Sequence, residues 1–174
     1  MRIFRRRRES PLWIDLLLGV AAGALGTSWM TPARNVIARF QSEDDQRREL
    51  DVSYPEKSPA RAAKKLTEPL GIELEDPKKA GHVISWTYGM LWGAAYALFS
   101  RRTRGLPLLG GWVLGATLWA IGDEILVPAL RLAPGPRRFP LSTHVKALGC
   151  HLAYGSGVDL GVRTLRAALR AILH

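Results

Sequence analysis

Gly81–Ser100 reads GHVISWTYGMLWGAAYALFS, twenty residues without an Asp, Glu, Lys or Arg. As a helix this stretch is long enough to cross a hydrocarbon layer of ~30 Å. At ~100° per residue, His82, Trp86, Gly89, Gly93 and Tyr96 fall within ~40° of one direction. One face therefore combines a GxxxG pair, two aromatic rings and an imidazole. A membrane-spanning helix with its own packing face is the reading, and similar apolar stretches recur along the chain.

The 174 residues give room for one domain, and 47% hydrophobic content with 17 Gly and 6 Trp suits a helical membrane bundle. A mean hydropathy of −0.02 looks too polar for that class. The average misleads, because the charges are gathered into blocks with nearly uncharged stretches between them. The net charge of +10 raises the question of nucleic acid. Five arginines fall in the first eight residues, three in RRTR at 101–104, and three at Arg163, Arg166 and Arg170. All flank apolar segments, which is the pattern of membrane anchoring, so no nucleic-acid partner is expected. The single cysteine, Cys150, lies in an apolar segment; it forms no intrachain disulfide and carries no compartment signal.

Taken in order, the basic arm MRIFRRRRES leads into Pro11–Met30, a first span with one acid, Asp15. The run is long for a signal-peptide core and no small-x-small site follows it, so it is expected to be retained. Thr31–Lys79 is the long polar segment, with ten Lys and Arg against ten Asp and Glu. The first helix is expected to continue through ARNVIARF as an amphipathic extension. A short helix is predicted at Pro59–Leu66, capped by Ser58, with Ala62, Leu66 and Leu70 sharing a face against the membrane or the bundle. Pro69 and Gly71 end it. After Gly81–Ser100 the tight turn RRTRG leads to Leu106–Leu130, which makes the second and third spans antiparallel neighbours. Arg131–Pro140 is a proline- and arginine-rich connector. The last helix starts near Leu141 and runs into a basic amphipathic tail.

The fold class predicted is all-α, a bundle of four transmembrane helices at about 11–30, 81–100, 106–127 and 144–163, with a polar, partly helical loop at 31–79. The flanks at the N-terminus, the RRTR turn and the C-terminus share one side and carry eleven positive charges. The positive-inside rule places that side, and both termini, in the cytoplasm. Each span holds a GxxxG: Gly19 with Gly23, Gly89 with Gly93, Gly111 with Gly115, and Gly157 with Gly161. In lipid, where apolar tails surround every helix, such pairs let backbones approach and drive association. The tryptophans, Trp13 and Trp29 bracketing the first span, read as anchors and packing residues.

Threading the spans back and forth gathers the ionisable residues into two groups. His82, Asp123, Glu124 and His144 fall near one membrane face, with His151 one to two turns deeper. Ionisable groups at depth are costly and seek partners. Two readings follow, a network that ties spans together and a proton- or ion-handling site. Near the other face Asp15 and Asp159 form a second charged group with arginines such as Arg163. Haem between His82 and His144 or His151, or zinc on His82, Glu124 and His144, lacks any local motif, and no cofactor or metal is expected. Ser85, Ser156 and Cys150 sit in apolar helices without a nucleophile elbow, and no phosphate-binding loop is present.

From GHVISWTYGMLWGAAYALF through Pro107 and the Gly110–Gly115 region, LVPALRLAPGP and the last helix around HLAYG, the order of features resembles the YagU-like family of bacterial inner-membrane proteins. The resemblance covers about the C-terminal 95 residues. It implies a multi-span membrane protein and names no chemistry. The expected role is a structural or interaction component of the membrane, whose partners are the lipid bilayer and other membrane helices or a second copy. Proton or ion handling is the alternative, and a membrane enzyme or a haem- or metal-binding bundle comes after it.

Overall fold

The structure, a computed structural model, describes residues 11–101 and 108–172. The basic arm at 1–10 and residues 102–107, which include most of the RRTR turn, lie outside it. Among the described residues all regular structure is helical. Six helices are α1 (Leu12–Ala38), α2 (Glu43–Val52), α3 (Ser58–Thr67), α4 (Pro77–Ser100), α5 (Leu109–Ala129) and α6 (Leu141–Ile172). Two of them, α1 and α5, are long and apolar enough to cross a membrane.

Local chemistry sets most of the boundaries. The Asp45 N–H donates to Ser42 Oγ at 3.2 Å and starts α2, whose first turn carries Glu43, Asp44 and Asp45, where the helix dipole favours acids. Asp76 accepts the N–H groups of Lys78 and Lys79 at 3.0 Å each, with Pro77 at the first helical position. That cap begins α4 four residues ahead of Gly81. Gly71, at φ +65°, ends the short 3-10 turn after α3. Within α5, Leu118–Leu126 is wound as a π-helix, so Asp123 and Glu124 sit on a widened turn.

The glycines decide which helices touch. A Cβ on Gly19 would lie 2.6 Å from the Ala94 Cα, and one on Gly23 2.8 Å from the Met90 Cα, so the glycine pairs of α1 and α4 face each other. On its other side α1 meets α6, where a Cβ on Gly157 would lie 2.9 Å from the Gly26 Cα and one on Gly161 3.0 Å from Ala22 Cβ. The pair on α5 faces α6 again, with Gly111 against Gly155 and Asp159 and Gly115 against His151. Spatial order is therefore α4, α1, α6, α5, with neighbours antiparallel. The expectation that the second and third spans pack as neighbours needs correcting. Backbone contact goes where small residues match, and α4 and α5 meet only through side chains such as Tyr96 over Gly110.

The 31–79 segment is more ordered than a partly helical loop. α1 continues to Ala38 with Pro32 inside it, and α2 and α3 follow. Ser58 is the first residue of α3 and makes no cap bond; the buried face is Ala60 and Ala63, packed on Gly81. Leu66 and Leu70, expected to lie with Ala62 against the membrane or the bundle, are 65% and 70% exposed and do not pack on the bundle. Small residues win this contact because only they let α3 approach the α4 backbone.

Candidate functional site

At the end where α1 and α5 finish and α4 and α6 begin, four of the five predicted residues pair across α5 and α6. His144 Nδ1 lies 2.7 Å from Glu124 Oε1, and His144 Nε2 lies 3.1 Å from the Pro136 carbonyl oxygen. A carbonyl only accepts, so Nε2 carries the hydrogen of that bond. The Nδ1 contact then needs one more hydrogen, giving either imidazolium against carboxylate or imidazole against carboxylic acid. The pair is net neutral in both forms. One helical face carries His144 and His151, two turns apart. His151 Nδ1 donates to the Ala147 carbonyl at 3.0 Å and lies 3.6 Å from Asp123 Oδ2. Arg34 on α1 is close enough for its charge to act on both Asp123 and Cys150.

His82 does not join them. Gly81 is the residue that turns inward, against Ala60 of α3, and the next position along a helix points ~100° away. His82 is exposed, as is Trp86 at 38%, while Gly89, Gly93 and Tyr96 of the same predicted face are buried. Among the described residues no group of three His, Cys, Asp or Glu is placed to hold a metal ion.

Beside this cluster lies a second polar knot that the sequence reading did not single out. Lys146 Nζ donates to both oxygens of Glu49, at 2.7 and 2.6 Å, and to Gln41 Oε1 at 2.9 Å. Glu49 also accepts from Gln41 Nε2 at 2.9 Å and from Thr143 Oγ1 at 2.8 Å, and Ser142 Oγ donates to Asp45 at 2.7 Å. Burial pushes the Glu49 carboxyl up, but the hydrogen bonds from Gln41, Lys146 and Thr143 and the Lys146 charge outweigh it, leaving the group below its ordinary value. One signal for the knot was available: a lysine entering an apolar helix needs a counter-charge, and the acids of the preceding polar segment were the source.

The opposite end holds two buried carboxylates, each met by several donors. Asp15, 1% exposed, accepts a hydrogen bond from Arg166 Nε at 2.9 Å and forms ion pairs with Arg166 Nη2 at 2.8 Å and Arg101 Nη1 at 2.9 Å. Asp159, 2% exposed, receives the Tyr96 hydroxyl at 2.7 Å, the Leu108 N–H at 2.7 Å and Arg163 Nε at 2.8 Å. The expected group of Asp15, Asp159 and Arg163 is thus two separate sites, Arg163 serving Asp159 alone of the two by its nearest contacts. Helix dipoles favour each placement. Asp15 lies in the first turn of α1 and Asp159 faces the start of α5, while Arg101 caps α4 and Arg166 donates to the Ala97 carbonyl in its last turn.

Two tyrosines complete the arrangement. Tyr154 donates to the Gly89 carbonyl at 2.6 Å and Tyr96 reaches Asp159, so α6 is tied to α4 past the glycine seam. Most close contacts in both clusters join one helix to another or close a helix end, while Arg163–Asp159 and His151–Ala147 lie within α6. No protein-family model matches the chain, no curated protein matches it, and no solved structure matches it.

Proposed function

We propose that this chain is a four-span integral membrane protein that serves as a structural or interaction component of a bacterial inner membrane. The observation that carries the reading is an inverted packing order. Large apolar side chains face outward on all four long helices, among them Leu17 at 60%, Leu91 at 63%, Val113 at 60% and Leu160 at 48% exposure. Beside a few aliphatic side chains, Leu118, Val158 and Val162, the interior holds Gly, Ala, two tyrosines and ion pairs. Water would penalise so large an apolar surface, whereas lipid accepts it and rewards close backbone contact. The helix α4 carries Lys78 and Lys79 at its start, and α6 carries Lys146 toward one end and Arg166 and Arg170 toward the other, while its mid-helix Asp159 is buried and paired with Arg163. Excess arginine at the Asp15 end supports placing both termini in the cytoplasm. The resemblance to the YagU-like family agrees with this architecture.

The pairing of Glu124 with His144 and of Glu49 with Lys146 favours a scaffold over a carrier, because groups already satisfied hold helices together without offering a vacant binding position. One observation favours proton handling as a second reading: the His144–Glu124 contact requires a shared hydrogen and sits on a π-helical turn. Extraction of membranes with alkaline carbonate tests the first proposal, the chain being expected to stay in the pellet and to leave only with detergent. Recovery in the carbonate supernatant would sink it. Glu124→Gln with Asp123→Asn in reconstituted vesicles separates the readings, since the scaffold reading expects no change in proton flux.

A further inference from the structure

α1 and α6 touch backbone to backbone at Gly26 and Gly157, but toward the α2 end the side chain of Ile37 separates α1 from Gly149. Helices that cross on small residues splay away from the crossing point. The splay leaves an open groove of about 490 Å³ lined by Trp29, Ala33, Val36 and Ile37 of α1 and Gly149 and Ala153 of α6. Ile37 also lines a second hollow of about 400 Å³, bounded by Phe40, Val145, Gln41, Asp45 and Ser142. From Trp29 to Phe40 the helical rise is ~16 Å, close to half of a ~30 Å hydrocarbon layer.

We infer that this groove is a binding site for one phospholipid with a primary-ammonium headgroup, its acyl chain in the apolar slot and its ammonium against Asp45. The inference rests on the membrane reading above. Polarity changes between the two adjoining hollows as it changes along a lipid, from the apolar lining of the first to Gln41, Asp45 and Ser142 beside Ile37 in the second. Charge in the second hollow selects the headgroup. Lys146 is engaged by Glu49 and Gln41, while Asp45 accepts from Ser142 and has no cation within ion-pair distance among the described residues. An ammonium is complementary to that carboxylate, and an anionic headgroup is repelled by it.

The test is native mass spectrometry of the full chain released from mixed micelles holding equal amounts of dioleoyl phosphatidylethanolamine and dioleoyl phosphatidylglycerol. The wild-type chain is expected to retain one phosphatidylethanolamine in preference to phosphatidylglycerol by about threefold, the worth of one half-buried ion pair. Ala153→Trp, which fills the slot from α6, and Ala33→Phe, which fills it from α1, are both expected to lose the adduct while circular dichroism shows unchanged helix content. Asp45→Asn is expected to keep an adduct and lose the headgroup preference. Equal retention of the two lipids by the wild type, adducts untouched by both filling variants, or a dimer in place of the adduct that the same variants abolish would each overturn the inference. Should one filling variant unfold, the other decides. A chain that carbonate extracts from membranes fails the membrane reading itself, whereas a membrane-integral chain with unaltered adducts fails the groove alone.

Discussion

A Cβ on Gly93 would lie 2.5 Å from the Gly23 Cα, so the seam between α1 and α4 has no room for a methyl group. The neighbour is backbone and cannot swing away. Gly93→Ala is therefore expected to cost about 1–3 kcal/mol, the range for overpacking a tight interior, read as a lower midpoint in denaturation from detergent micelles. Gly122→Ala is the matched control, since the nearest atom to its added Cβ is the Tyr88 hydroxyl at 3.8 Å. Its midpoint is expected to move by less than about 0.5 kcal/mol. Equal effects at the two sites would remove the seam from the account. Residue spacing located these glycines, but it did not say which pair faces which. Matching is a property of two helices, and Gly26 and Gly155 take part in it without belonging to any of the four pairs named from sequence.

At the scale of the element, α2 acts as a clamp on the start of α6 through Glu49 and Lys146. The Glu49 carboxyl is held below its ordinary value of 4.5 in the fold. A depressed acid contributes stability above its unfolded value and loses it as pH falls through the folded value. Protection factors of the Glu43–Val52 amides, taken relative to the unfolded exchange rate at each pH, are thus expected to be high at neutral pH and to fall as pH drops below the ordinary value of 4.5. Glu49→Gln is expected to release the helix at neutral pH, with a loss of about 2 kcal/mol of local protection, and to flatten the pH dependence. Protection indifferent to both changes would show that α2 is held by something else. This element was the least legible part of the sequence. Apolar runs reveal helices that need lipid or a core, and EDDQRRELDV has almost none. Only Ser42 followed by three acids signalled a helix start, and the earlier start of α4 was written the same way in Asp76 and Pro77. The long helices were legible because each holds a stretch nearly free of charge. That His144 and Glu124 lie at one end followed from threading those stretches, whereas the choice of His144 over His82 as partner did not, because a rotation of one residue at Gly81 decides it. The π-helical winding of α5 had no counterpart in spacing or composition.

In the proposed four-span bundle the outward aromatic and aliphatic side chains meet lipid and most charges are drawn to the two ends. The ends differ in kind. One is a dense set of arginines around two buried carboxylates, and the other a mixed network of His, Glu, Lys and Gln covered by α2 and α3. The positive-inside orientation proposed above agrees with this asymmetry and predicts the side on which each loop lies. The direct measurement is the labelling of single cysteines by a membrane-impermeant maleimide in oriented membranes, on a Cys150→Ser background. Glu73→Cys and Gly135→Cys are expected to react from the outer side of intact cells. Thr103→Cys and His174→Cys are expected to react only once the membrane is opened. Labelling of Glu73→Cys and Thr103→Cys from the same side would contradict a second span between them, and with it the four-span bundle.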